Sequence, residues 1–81
     1  MEEQICKNFA KKLKEIREKK GLSKGQLSSL AGCDMSYIGK IERCEKFPNL
    51  KMIAKFIIAL EINAKDLFDF EWYIIIFCII R

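Results

Sequence analysis

The sequence predicts an all-α domain of five short helices over residues 1–69, followed by an apolar tail over residues 70–81. Three observations predict it. Apolar residues recur every three or four positions, the spacing of one face of a helix. The intervals between these runs hold small polar residues suited to start a helix, and glycine or proline suited to stop one. No run before residue 70 alternates with the period of two that marks a half-buried strand. Eighty-one residues, 51% hydrophobic and 32% charged, have the composition of one globular module. Such a chain is too short for a deep enzyme cleft between two lobes.

In "EEQICKNFAKKLKEIREKKG", Ile5, Phe9, Leu13 and Ile16 share one face and lysines fill the other, so the segment is an amphipathic helix closed at Lys19, Lys20 and Gly21. Ser23 stands three residues before Gln26. A serine oxygen there accepts from the third helical N–H while the glutamine reaches back, which starts a second helix. That helix is expected to bury Leu27, Leu30 and Ala31 and to end at Gly32 in the left-handed conformation. Asp34 is placed to cap a third, running to about Arg43. Ile38 and Ile41 define its buried side, Tyr37 and Glu42 its margins, and Met35, Ser36, Gly39, Lys40 and Arg43 its outer side. Pro48 forbids continuation. Asn49 then caps a fourth helix containing Leu50, Ile53, Ala54, Ile57, Ile58 and Leu60, and Asn63 with Asp66 starts a fifth.

Fifteen Lys and Arg against eleven Asp and Glu give a net charge of +4. Up to Leu60 the chain holds thirteen basic and seven acidic side chains, a net +6, and beyond it two and four, a net −2. The positive charge therefore belongs to the helices. A localised basic surface attracts polyanions, nucleic acid being the common one, although a solvated lysine surface has the same composition. Cys6, Cys33, Cys44 and Cys78 form no C-x-x-C pair, and there is no histidine. No metal or other cofactor is expected, and the thiols read as small buried hydrophobes in a reducing compartment. The opening MEEQICKNF lacks an apolar stretch, so a cytoplasmic protein without a secretory signal is expected.

Two short helices joined by a tight glycine turn cross steeply, and the first can hold the second away from the body. A helix about 10 to 12 Å wide matches a DNA major groove of about 12 Å. The outer stripe of residues 35 to 43 would then face base edges.

The segment "GLSKGQLSSLAGCDMSYIGKIERCEKFPNLKMIAKFIIALEINAKDLFD" resembles the helix-turn-helix domain of the phage-repressor and XRE family of transcriptional regulators over roughly residues 8 to 69. The match rests on a set: the GLS opening, Leu27, the small Ser28, Gly32 in the turn, the SYI-x-x-IE core, a proline before the fourth helix and the closing DLF. Small restriction-modification controller proteins resemble the chain in length as well. The resemblance implies a lambda-repressor-like five-helix fold, and it implies roles by position. Met35, Ser36 and Lys40 match base-reading sites. Lys24 matches a site where the family usually places a phosphate-contacting glutamine, and Arg43 and Lys46 match backbone-contacting sites. Arg17 and Glu42 match an ion pair that ties the first helix to the third.

Lysine donates to guanine O6 and N7, serine donates or accepts, and methionine offers apolar contact to a thymine methyl. Tyr37 has two readings, as core or as a hydroxyl donor to phosphate. Asp34 would repel phosphate, so capping is favoured over cytosine readout. Gly39 costs about 1 kcal/mol relative to alanine in a helix, and either closer approach to the groove or simple tolerance accounts for it. Cys44 departs from the helix-ending glycine of the family, and Gly25 replaces a good helix former.

After Leu67 comes "FDFEWYIIIFCIIR", with nine consecutive apolar residues from Trp72 to Ile80. The run falls short of the roughly 20 residues of a membrane span. A dimer interface using Phe70, Trp72, Ile74, Ile76 and Phe77, as helix or strand, is the leading reading. Burial against the chain's own helices and an aggregation-prone or membrane-attached end are the others.

The expected function is a homodimeric, sequence-specific binder of double-stranded DNA that regulates transcription, with no small-molecule ligand and no membrane partner. The alternative is a helical interaction module, adaptor or antitoxin-like, that does not bind DNA. An enzyme is not expected, because no nucleophile and base can be placed together and there is no phosphate-binding glycine loop.

Overall fold

The structure is a computed structural model and describes residues 2–69. Five helices follow one another: α1 Glu2–Lys19, α2 Lys24–Ala31, α3 Met35–Glu42, α4 Leu50–Leu60 and α5 Ala64–Leu67. No strand occurs among the described residues, so the expected all-α, five-helix architecture is what forms.

Each helix lends its apolar face to one core. Phe9 and Leu13 enter from α1, Leu27 and Ala31 from α2, Ile38 and Ile41 from α3, Ile53, Phe56 and Leu60 from α4, and Leu67 from α5. α2 packs on α3 and α4, and α1 packs on α3 and α5. α3 is thus held from behind by both α1 and α2.

The starts are capped as the sequence suggests, with one exception. The Ser23 hydroxyl accepts from the Gln26 N–H at 3.0 Å while the Gln26 side chain accepts from the Ser23 N–H at 2.8 Å. The Asn49 side chain accepts from the Met52 N–H at 2.9 Å, and the Asp66 carboxylate accepts from the Asn63 N–H at 3.0 Å. Asp34 occupies the cap position of α3 through its extended backbone, but its side chain makes no capping hydrogen bond. The expectation that its carboxylate caps α3 is corrected.

The ends of α1 to α4 share one device. Gly21, Gly32, Cys44 and Glu61 all take positive φ, at 74°, 72°, 60° and 55°. In each case the following N–H reaches back to a carbonyl of the last turn: Leu22 to Arg17, Cys33 to Ser28, Glu45 to Lys40 and Ile62 to Ile57. This is the left-handed closure that satisfies orphan carbonyls. Two of the four positions lack the glycine that adopts it without steric cost.

A second expectation fails at Leu30, which is 61% exposed rather than buried. The inward face of α2 consists of Leu27, Ser28 and Ala31. At ~100° per residue Leu30 lies roughly 110° from the centre of that face. Ser28 can turn inward because its hydroxyl donates to the Gly25 carbonyl at 2.8 Å, so no polar atom is buried without a partner.

Candidate nucleic-acid interface

α3 is eight residues long, and it divides cleanly into a buried and an exposed side. Ile38 and Ile41 are at most 1% exposed. Met35, Ser36, Lys40 and Arg43 are exposed on the outer side, Met35 at 59%. The sequence-derived stripe is present, apart from Gly39, which is covered by the side chain of Arg43.

The rear of α3 is fixed by Arg17. Its Nε donates to Glu42 Oε2 at 2.8 Å and its Nη2 to Glu42 Oε1 at 3.1 Å, a two-pronged contact between α1 and α3. Its Nη1 donates to the Leu22 carbonyl at 2.8 Å, which adds the α1–α2 loop. The two side chains are 7% and 4% exposed. The carboxylate raises the Arg17 pKa above its ordinary value, so the guanidinium stays charged. Among the described residues no buried side-chain nitrogen or oxygen lacks a partner. Residues 17 and 42 are therefore in the contact that the resemblance implied.

At its start, α3 leans on α2. The Met35 sulfur lies 3.6 Å from where a Cβ on Gly25 would stand. That is ordinary van der Waals contact, so a methyl group at position 25 would fit beside the methionine and packing does not require the glycine. Lys24, half-buried, is the first residue of α2 and stands at the positive end of that helix's dipole, where anions are favoured.

Past its end, α3 is organised by the left-handed Cys44. The turn brings Glu45 back to Arg43, whose Nε donates to Glu45 Oε2. It sets Lys46 Nζ over the Tyr37 ring, 5.3 Å from its centroid, a cation–π placement. It also delivers Phe47 to Phe9, with ring centroids 5.1 Å apart. Tyr37 is half-buried, and burial pushes its hydroxyl pKa up. The phenol is therefore protonated and able to donate at neutral pH.

Three contacts were not foreseen from the sequence: Arg43 with Glu45, Arg43 over Gly39, and Lys46 over Tyr37. The four-residue interval from Gly39 to Arg43 was a usable signal, since residues so spaced are neighbours on a helix. The Glu45 contact had none, because it depends on a turn at a cysteine. Phe70, Trp72, Ile74, Ile76 and Phe77, the expected dimer contacts, lie outside the described residues, as does the whole segment 70–81. Among the described residues there is no metal-binding group of three His, Cys, Asp or Glu, and no helix is long and apolar enough to cross a membrane.

The profile of the helix-turn-helix family matches residues 13–67. Among solved structures, the chain is similar to the restriction-modification controller protein C.AhdI from Aeromonas hydrophila. It shares 39% identity with that protein over 76% of this chain and 94% of the other, with a TM-score of 0.74. A transcriptional regulator of the same helix-turn-helix family from Vibrio cholerae is 28% identical, with a TM-score of 0.80, over 85% of this chain but only 39% of its own length. A hypothetical transcription factor from Neisseria is 28% identical over 78% of this chain and 72% of the other, with a TM-score of 0.74. No curated protein sequence matches the chain significantly.

Proposed function

The chain belongs to the XRE-type helix-turn-helix family, a family of DNA-binding regulators rather than enzymes, and from that premise we propose that it acts as a homodimer which inserts α3 into the DNA major groove at a specific sequence. The observation that carries this reading is the division of α3. Its outer side exposes Met35, Ser36, Lys40 and Arg43, while its inner side is fastened by Ile38, Ile41 and the Arg17–Glu42 pair. A short rod so mounted suits a groove of about 12 Å.

Met35, Ser36 and Lys40 address base edges. Lys24 at the head of α2, Tyr37 in the first turn of α3 and Lys46 past its end address phosphates on either side of the groove. Two copies are needed because the half-sites of such regulators lie about one helical turn apart, 34 to 36 Å, and the protein's two-fold axis matches that of the operator. The apolar segment that includes Phe70, Trp72, Ile74, Ile76 and Phe77 supplies the joining surface. The similarity to C.AhdI supports a role in controlling a restriction-modification system.

The test is titration of the full chain with mixed-sequence duplex DNA at two salt concentrations, followed by selection of tight-binding duplexes from a random pool. A regulator gives a salt-sensitive complex and a selected motif with two-fold symmetry. An interaction module of the adaptor kind gives no salt-sensitive complex, and that result sinks the proposal.

A further inference from the structure

The resemblance assigns Arg43 to the phosphate backbone, and the structure lays its side chain back along the outer side of α3, over Gly39. Long side chains on a helix lean toward its N-terminus, over the turn before their own. Arg43 does this because Gly39, one turn earlier, has no side chain in the way. A Cβ on Gly39 would stand 2.9 Å from Arg43 Nη1, 3.8 Å from Cζ and 3.9 Å from Nη2. The guanidinium therefore lies over the middle of α3 with its Nη1 edge toward Gly39, about 6 Å back along the axis from the Arg43 Cα. Gly39 is buried beneath this cover on a side otherwise exposed, between Ser36 and Lys40 in sequence.

Glu45 holds the group there. Its Oε2 accepts from Arg43 Nε, so this pairing does not use the donors of the two terminal nitrogens. The carboxylate also discriminates between targets. A phosphate approaching Arg43 would bring a second anion against Glu45, whose pKa is lowered chiefly by its hydrogen bond to Arg43, so that it is ionised at neutral pH. The O6 and N7 of guanine are neutral acceptors, and their spacing matches the two terminal nitrogens of an arginine.

We infer that Arg43 is a base-reading residue, seated over Gly39 and oriented by Glu45 so that its terminal nitrogens meet a guanine in the major groove. This rests on the DNA-binding reading above and moves Arg43 from the phosphate contacts to the stripe that selects sequence. Gly39 and Glu45 are positioning residues for it.

The experiment uses the full chain, the duplex it selects from a random pool, and the set of duplexes in which each base pair of that site is changed singly. Arg43→Lys keeps the charge but loses the planar fork. It should lower discrimination at one G·C pair in each half-site by about tenfold or more, with the salt dependence of binding unchanged. Gly39→Ala should relax the same pair while its thermal melt is undiminished, since alanine favours the helix and only the mobile end of Arg43 must move. Glu45→Gln, which removes the anion, should do the same and raise affinity for duplexes of every sequence.

If Arg43→Lys retains wild-type preference at every position, and Arg43→Ala weakens all duplexes alike while flattening the salt slope by about 0.9, Arg43 is a phosphate contact and the inference falls. Wild-type preference at that pair in Gly39→Ala or Glu45→Gln overturns the seating. If the unaltered chain forms no salt-sensitive complex with any duplex, the DNA-binding reading itself fails, which is a separate result.

Discussion

Arg17 donates from three nitrogens to partners on two other segments, Glu42 on α3 and the Leu22 carbonyl. Removing the carboxylate leaves a buried cation with one backbone oxygen. Glu42→Ala should therefore cost about 3 to 5 kcal/mol, read as a lower denaturation midpoint. A midpoint within error of the parent would mean that the pair bears no weight. Lys40 sits on the opposite side, exposed, and should behave differently. Lys40→Ala should leave the melting temperature alone, cost about 1 to 3 kcal/mol on the selected duplex and relax one base position. Equal weakening on all duplexes would instead make Lys40 a phosphate contact. At this scale the site was half legible. Met35, Ser36 and Lys40 could be placed outward from 3.6-residue periodicity alone, and they are outward. The seat of Arg43 could not, because it depends on which way a flexible side chain lies once the Cys44 turn has brought Glu45 near.

For the helices, the terminators decide most of the geometry. Ser23 and Gln26 satisfy each other's backbone, and Ser23→Ala should destabilise the domain by about 1 kcal/mol in a denaturant titration. Glu61 closes α4 at a φ of 55° and its side chain is exposed. The left-handed conformation costs a non-glycine residue roughly 1 to 2 kcal/mol, while glycine forfeits about 0.5 to 1 in chain entropy. Glu61→Gly should thus stabilise by about 0.5 kcal/mol, and destabilisation would show that the carboxylate has a role of its own. Caps and stops are local chemistry, and for that reason the five helices were legible from single residues such as Ser23, Gly32 and Asn49. Facing is not local. Leu30 was misplaced because the rotation of α2 is set by what α3 and α4 present to it, with a small serine admitted at the crossing. The capping role given to Asp34 failed for a similar reason. A capping residue type predicts the helix start but not the rotamer of the cap.

Over the whole molecule, charge and thiols set the response to solution conditions. Cys6 is pushed up to about 11 from 9.0, first by burial and then by the adjacent Cys44 thiol. Below 9.0 the folded and unfolded chains both hold the proton. Between 9.0 and about 11 the unfolded chain releases it and the folded chain does not, so stability is lost as pH rises through that window. Denaturation at pH values on either side of the window should show the fall, and Cys6→Ala should flatten it. A fall of the same size in Cys6→Ala would assign it to other groups. The apolar end of the chain was conspicuous in the sequence, yet composition alone leaves helix and strand equally open there, which is why its partner surface could be named but not shaped. Finally, the Arg17–Glu42 clasp lies on the buried side of α3, opposite its exposed stripe, and the two share no side chain. Stance and vocabulary are thus stored in separate residues. On the reading proposed above, a paralogue's letters at 35, 36, 40 and 43 would redirect this frame to another address without rebuilding the mount.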